Sequence, residues 1–276
     1  MAAIITDQLR ILNAGNFVSG IQTTTNTYYA FIGLPNATDY QSTWDSDPPS
    51  PKDNLDQSND YWDTMIALKK INASDVSRVV RKNSWESGTT YDMWRNDINR
   101  DNPSKPSGSF DIYDSNYYVI NSDFRVYICL FNNANPENNF NGGPSLDEPT
   151  FTDLEPRSAG SSGDGYIWKY LYTIKPSQVI KFDSTDYMPV PNDWETDTEN
   201  TAVRQNASTS GFIKVITIRD RGVGLGTART YTNVPVQGDG TGATATVVIN
   251  NDAKVETIAV SNGGSDYTFA TVNLEA

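Results

Sequence analysis

Few residues of this chain have the types and spacing that chemistry needs. Its 276 residues include no histidine. A Ser-His-Asp or Cys-His arrangement for nucleophilic catalysis is therefore impossible, and so is a zinc site with histidine ligands. The single cysteine, Cys129, lies inside an apolar stretch, where a small buried side chain is expected rather than a reactive thiol. These two counts exclude most classes of hydrolase and metalloprotease.

Carboxylates are the remaining candidates for acid–base chemistry. Asp153, Glu155 and Asp164 flank a strongly aromatic stretch, and two carboxylates beside sugar-stacking tryptophans are what glycoside cleavage requires. No spacing singles out one pair, and charged turns beside strands are common. The acidic group between Asp53 and Asp63 lacks the glycine and the closing glutamate of a calcium-binding loop. We therefore assign no catalytic residue and no metal site.

A glycine-rich stretch and the net charge exclude further classes. Gly222, Gly224 and Gly226 follow a predicted strand, but neither a helical pattern nor a Gly-Lys-Ser/Thr triplet follows, so we expect no cofactor. The formal charge of −13 disfavours nucleic acid and anionic lipid as partners. With neither a signal peptide nor a run of about 18 apolar residues, we expect no membrane span. A cytoplasm, or a particle assembled there, is the expected location.

The elements that would position any site are organised around one predicted strand between Gly163 and Pro176. Its β-branched and aromatic residues favour strand over helix. Strand alternation predicts one shared face for Tyr166, Trp168, Tyr170, Tyr172 and Ile174. Such a strand serves either as a core strand or as a platform on which a ligand stacks.

Other predicted elements lie on both sides of this strand. We expect a strand over Tyr28–Gly33 and a hairpin whose strands, Asp111–Ile120 and Phe124–Phe131, turn at residues 121–123. Helices are predicted over residues 7–14, ending at Gly15, and over residues 54–70. A turn plus strand is predicted between residues 71 and 82. The fold class is α+β dominated by β structure, with antiparallel sheets or a sandwich, long loops and one or two helices.

Long polar segments with isolated aromatic residues are the candidate interaction regions. They are the loops 83–110 and 132–162 and a proline-rich arm at residues 44–51. Aromatic rings on such loops anchor in a neighbour's pocket or pin the loop to its own core, and the arm serves equally as a linker. The candidate interface residues are Trp44, Trp85, Tyr91, Trp94, Phe140 and Trp194.

The carboxy-terminal sequence contains an internal repeat. Ile216–Gly222 lines up with Ile258–Gly264, and Tyr231–Val236 lines up with Tyr267–Val272. A glycine turn that leads into an alternating strand, residues 238–249, lies between the two copies. We predict a body over residues 1–205 and a glycine-rich β-repeat module over residues 206–276 whose copies stack or pair. The repeat is expected to continue beyond Ala276.

Several ordered segments resemble a known family. Gly163–Tyr172 (GDGYIWKYLY), followed by Lys175-Pro176 and by Tyr187–Pro191, resembles the baseplate wedge subunit of T-even-type contractile-tailed phages, the gene-product-eight family. Further similar pieces occur in the same order at Tyr28–Gly33, Asp47–Pro51, Asp60–Asp63, Arg78–Trp94 and Tyr127–Leu130. The resemblance covers residues 1–195, and the chain departs from the family beyond about residue 205.

The resemblance implies a structural protein of the virion and no enzyme. Members of this family form homodimers that join other wedge proteins around the tail tube, with six wedges forming the baseplate, and they have no catalytic residues to transfer. Assembly would take place in the host cytoplasm. The alternative from another class is a phage protein that binds or cleaves carbohydrate during receptor recognition. A trimeric tail-fibre adhesin is a third interpretation.

Overall fold

A computed structural model describes most of the chain in two compact units. The described residues are 7–23, 25–33, 46–47, 59, 62–191, 194, 196, 198, 200–207 and 209–274. The units are Met1–Arg78 and Val79–Ala276. The boundary predicted near residue 205 lies inside the second unit and stays a prediction.

The first unit contains helix α1, Asp7–Gln22, and two strands, β1, Tyr28–Gly33, and β2, Met65–Ile71. The predicted strand over residues 28–33 is confirmed. The predicted helix end at Gly15 is wrong, because α1 continues for seven further residues. A helical glycine costs only about 1 kcal/mol relative to alanine. The burial of Val18 and Ile21 one turn later offsets this cost.

The predicted helix over residues 54–70 is wrong where its end is described. Residues 65–71 form β2, which pairs antiparallel with β1 so that Tyr28 lies opposite Ile71 and Phe31 opposite Leu68. Residues 54–58, 60 and 61 lie outside the described part. Pairing with β1 overrides the local helical pattern, because helix propensity is a weak preference. A short 3₁₀ turn, Ala73–Asp75, and strand β3, Arg78–Arg81, follow, as the predicted turn plus strand requires.

The second unit is built on a three-stranded antiparallel sheet. Its strands are β4, Tyr118–Ile120; β5, Arg125–Asn132; and β6, Tyr166–Thr173, in the order β4-β5-β6. The predicted hairpin is confirmed, with Ile120 opposite Val126, but its first strand is shorter than predicted, because residues 111–117 form turns and irregular structure. The predicted aromatic strand is confirmed as β6, and Cys129 on β5 is fully buried. Burial raises the pKa of its thiol well above the ordinary value.

The five residues predicted to share one face of β6 are divided between two faces. Tyr170 lies opposite Tyr127, whereas Tyr172 lies opposite Val126, so Leu171 is an extra residue that forms a β-bulge. Tyr166 and Trp168 therefore pack with Tyr127 on one face. Tyr172 and Ile174 pack with Val126 on the other face. The expectation of one aromatic face is wrong beyond the bulge, and the sheet has a core on both sides.

Smaller elements flank this sheet. Helix α2, Pro176–Phe182, begins directly after β6 with its proline in the first turn and was not predicted. Strand β7, Tyr187–Val190, pairs with β3. Met188 of β7 is buried in the core formed by Tyr172 and Ile174. Helix α3, Thr201–Asn206, follows.

The last part of the second unit is also antiparallel β structure. Strands β8, Arg229–Pro235; β10, Thr244–Ile249; and β11, Val255–Asn262 form a sheet in the order β11-β10-β8. Two-residue strands, β9, Gln237–Gly238, and β12, Ala270–Thr271, form a second pair. The described structure is thus dominated by antiparallel β-sheets with few helices, which confirms the predicted α+β class at this level.

Buried tyrosines give the second unit an expected alkaline limit of stability. Burial raises the pKa of Tyr118 and of Tyr127 to about 12, and it also raises the pKa of Tyr166 and of Tyr172. The unfolded chain releases these protons near pH 10. The folded state therefore keeps its full stability below about pH 10 and loses it as the pH rises through 12. Urea unfolding midpoints measured across this range should fall.

Two variants test this origin of the alkaline limit. Tyr127→Phe removes one phenol with a raised pKa, so the stability of this variant should fall less steeply with pH. The variant also loses the 2.6 Å hydrogen bond from Tyr127 Oη to the Phe151 carbonyl, which lowers its stability at every pH. Tyr113→Phe, at an exposed position, should leave the pH dependence unchanged. Equal slopes for the wild type and Tyr127→Phe would contradict the assignment.

Candidate interaction surfaces

Helix α1 of the first unit exposes most of its apolar side chains. Val18 and Ile21 are buried, whereas Leu9, Ile11, Leu12 and Phe17 are exposed. The ring of Phe17 contacts the Tyr28 ring edge to face, with centroids 6.1 Å apart. Four large apolar side chains exposed on one helix are candidates for contact with a partner.

The β1–β2 ladder exposes apolar side chains on both faces. Phe31 and Leu68 lie opposite each other on one face and are 47% and 50% exposed. Ile32 lies on the other face opposite Ala67 and is 69% exposed. A two-stranded ladder is marginally stable in water unless one of its faces is covered. Together with the exposed side chains of α1, this ladder forms the apolar surface of the first unit.

The loop at residues 83–110 is held by one buried carboxylate. Asp92 is completely buried, and its oxygens accept hydrogen bonds from the hydroxyls of Ser104, Ser107 and Ser115. They also accept from the backbone N–H of Ser107 and of Asn116, each at 3.2 Å. Five donors offset the cost of burying this charge. The segment from residue 92 to residue 116 is therefore closed on a single side chain.

Two of the predicted interface residues pack against the core of the unit, Tyr91 buried and Trp85 partly buried. Tyr91 is 2% exposed, contacts Trp168 edge to face at 5.8 Å, and its N–H donates to Tyr166 Oη at 3.0 Å. Trp85 packs against the same core, and its Nε1–H donates to Ser145 Oγ at 3.0 Å. Both side chains therefore tie loop 83–110 to the aromatic sheet.

Two other predicted interface residues are exposed on the loops. Trp94 is 40% exposed, with its ring 5.0 Å from that of Tyr117, and Phe140 is 36% exposed. Lys105 brings the two loops together, because its Nζ donates to the Asn139 carbonyl at 2.8 Å and lies over the Phe140 ring. The structure thus places parts of loops 83–110 and 132–162 side by side.

Of the remaining two candidate interface residues, the structure describes Trp194 but not Trp44. Trp194 is half-buried, and its ring contacts Tyr172 edge to face at 6.2 Å. Its carbonyl accepts a hydrogen bond from Arg204. Trp44 lies outside the described residues, as do residues 48–51 of the proline-rich arm.

The carboxylates considered for glycoside cleavage are engaged in structural contacts. Asp164 accepts hydrogen bonds from the N–H groups of Leu146 and Tyr166, at 2.9 and 3.0 Å. Asp153 forms an exposed ion pair with Arg157 at 3.1 Å. These contacts position loops. The described part of the chain contains no group of three or more Asp, Glu or Cys side chains placed to hold a metal ion.

Glu155 joins the aromatic sheet to the carboxy-terminal part of the second unit. Its two oxygens accept from Lys214 Nζ and from Asn206 Nδ2, each at 2.6 Å. The hydrogen bond from Lys214 lowers the pKa of Glu155 below its ordinary value. Asn206 Oδ1 also accepts from Lys169 Nζ of β6 at 2.6 Å, and burial lowers the pKa of Lys169. This network is an electrostatic link within the unit.

Sequence reasoning missed Asp92 and the apolar surface of the first unit. Asp92 follows Tyr91 in a polar loop, and no local pattern distinguishes it from the other acidic residues of the chain. The sequence did contain a sign that Ile32 would be exposed. In YYAFIG, the residues that would point to either face of a strand are all apolar or aromatic. A strand of this kind needs cover on two sides.

Comparison with known proteins assigns no family to the chain. No protein-family model matches it, and no curated protein matches it. Among the helices in the described ranges, none combines the length and the apolar character needed to cross a bilayer.

Proposed function

We propose that this chain is a structural, non-enzymatic subunit of a contractile phage tail. It forms a homodimer and joins neighbouring wedge proteins in the baseplate of the virion, after assembly in the host cytoplasm. One observation carries the assembly role: the first unit exposes apolar side chains on α1 and on both faces of the β1–β2 ladder. The sequence resemblance over residues 1–195 supports the baseplate as the assembly.

The apolar surface provides the larger part of the expected binding energy. Burying a large apolar side chain contributes about 1.5–3 kcal/mol, and Phe31, Ile32 and Leu68 are each about half exposed or more. Covering both faces of the ladder would also stabilise an element that is marginal alone. Association of this unit therefore stabilises both the complex and the fold of the subunit.

The loops of the second unit provide smaller and more polar contacts. Trp94 and Phe140 are exposed on segments held by Asp92 and by Lys105. Rings on a rigid support make efficient interface anchors, because little conformational entropy is lost when they bind. Polar contacts of moderate size suit an assembly that changes shape on host attachment.

Residues 206–276 are proposed to be an appended glycine-rich β-repeat module on a body formed by residues 1–205. Two features support this division. The repeat begins after α3, and the glycines around Tyr267 allow close packing: a Cβ at Gly240 would lie 2.4 Å from Cγ of the Tyr267 ring. The ion pair between Lys214 and Glu155 is one link between the two parts.

The assembly role is tested by light scattering coupled to size-exclusion chromatography. The full chain should elute as a dimer and should shift to a larger stoichiometric complex when wedge proteins encoded beside it are added. Ile32→Lys should weaken dimerisation at least about tenfold, since it places a charge in the apolar contact. Ile180→Lys changes an even more exposed isoleucine, on α2, and should leave association unchanged.

Other outcomes contradict the proposal in distinct ways. A trimer that ignores the wedge proteins would favour the adhesin. A monomer that binds polysaccharide, and loses that binding on Trp94→Ala, would favour the carbohydrate-binding alternative. Equal effects of the two lysine variants would show that the first unit is not the contact.

A further inference from the structure

The carboxy-terminal part of the second unit contains an open slot in its apolar layer. The slot is a cavity of about 1050 Å³ that is lined by Ile213, by residues 215–225 and 270–274, and by Val236, Val255 and Ile258. Ile216 packs with Ala243 and Ala245, and Ile218 packs with Val247 and Ile249. This spacing of two residues is typical of an extended chain. One side of the slot is therefore a strand-like segment, residues 214–220, whose isoleucines pack on apolar residues of the sheet.

The strand-like segment has free backbone groups between two anchored ends. At one end the N–H of Ile213 donates to the Gly263 carbonyl at 2.9 Å, and at the other end the Arg221 carbonyl accepts from the N–H of Val255 at 2.8 Å. Among the described residues, no backbone hydrogen bond involves residues 214–220. An extended segment with unpaired N–H and carbonyl groups is a template for another strand.

The second copy of the repeat shows what such a segment pairs with. Ile216–Gly222 corresponds in sequence to Ile258–Gly264, which lies largely in β11. In β11, Ile258, Ala259 and Val260 pair antiparallel with Val247, Thr246 and Ala245 of β10. The second copy therefore has a hydrogen-bonded partner strand of small and β-branched residues, whereas residues 216–220 of the first copy form no backbone hydrogen bond among the described residues.

The two copies also differ in the surroundings of the tyrosine that they share, Tyr231 in the first copy and Tyr267 in the second. The ring of Tyr267 packs against the glycine turn that precedes β10, since a Cβ at Gly238 or Gly240 would approach the ring within 3.0 Å or less. The corresponding Tyr231 is 39% exposed. Tyr231 lies on β8, which pairs with β10, so within the first copy only the segment that begins at Ile216 has no partner strand among the described residues.

We propose that the slot accepts an extended strand from a second polypeptide chain, which pairs antiparallel with residues 214–220. The donor has the chemistry of Gly240–Ile249: a glycine turn followed by small and β-branched residues. The β10 strand of another copy does not supply it, because β10 is the central strand of its own sheet. Strand addition of this kind combines backbone hydrogen bonds with side-chain pockets. The inference rests on the proposed assembly role and adds its mode of contact.

Hydrogen–deuterium exchange of the full chain tests the slot directly. The probe is a synthetic peptide with the sequence of residues 240–250 and two added lysines for solubility. At about 1 mM peptide, exchange in residues 214–220 should slow about tenfold, with no change in β4 to β6. A control peptide has prolines in place of Thr244 and Thr246. Because it lacks two backbone N–H donors, it should not slow exchange in residues 214–220.

A fusion keeps the test decisive if the peptide associates with itself. The same eleven residues are joined after Ala276 through a glycine-serine linker, and the proline version is fused as its control. Protection of residues 214–220 by the unmodified strand alone supports the proposal. No protection, equal protection by the proline version, or protection that rises with the concentration of the chain alone would overturn it. Each result is independent of whether the chain joins wedge proteins in light scattering.

Discussion

Replacing Asp92 by alanine is expected to lower the free energy of unfolding by about 3–5 kcal/mol. The change leaves the buried hydroxyls of Ser104 and Ser115 and the N–H of Asn116 without their acceptor. Each buried polar group left without a partner costs about 1–3 kcal/mol. Urea unfolding with linear extrapolation measures the difference.

Asparagine at this position removes the charge and keeps only one of the two acceptor oxygens. Each Asp92 oxygen accepts one backbone N–H, from Ser107 or from Asn116, so an amide nitrogen on either side would face a donor that cannot rotate away. Asp92→Asn is therefore expected to cost about 1–3 kcal/mol. The control Asp101→Asn removes the same charge from an exposed position of the same loop and should change stability by less than about 0.5 kcal/mol. A cost below 1 kcal/mol for Asp92→Ala would show that loop 83–110 does not depend on this carboxylate.

Trp168→Ala is expected to cause a loss of similar size, about 3–5 kcal/mol. Trp168 is completely buried in β6, stacks on Tyr166 with centroids 5.3 Å apart, and contacts Tyr91 edge to face. Truncation removes these ring contacts and leaves a cavity that a close-packed two-sided sheet cannot fill. The same urea measurement applies, with loss of near-ultraviolet circular dichroism as a second signal.

Two further substitutions test whether the packing of the buried ring accounts for this loss. Within the described residues, Nε1–H of Trp168 has no hydrogen-bond partner. Trp168→Phe keeps one ring and removes an unpaired buried donor, so it should cost less than half as much as alanine. Trp62→Ala removes an equally large side chain that is 69% exposed and should be nearly neutral. Comparable losses at Trp62 and Trp168 would refute the assignment of Trp168 to the core.

Local patterns in the sequence determined several strands and the class of fold. Alternating apolar residues on either side of residues 121–123 predicted the β4–β5 hairpin, and the aromatic run after Gly165 predicted β6. Both patterns depend on neighbours only two positions apart, so they can be recognised without knowledge of the fold. The burial of Cys129 followed from the same apolar run.

Features that depend on distant residues were decided only by the tertiary structure. Residues 65–71 became a strand because β1 lies beside them, and the bulge at Leu171 moved Tyr172 to the face opposite Tyr170 because β5 has one residue fewer there. The partners of Asp92 lie 12 to 24 positions away. Any short stretch of the sequence contains only one partner of each such hydrogen bond or strand pair. Which of them meet is set by the packing of the whole unit, because hydrogen bonds and register form between segments rather than within them.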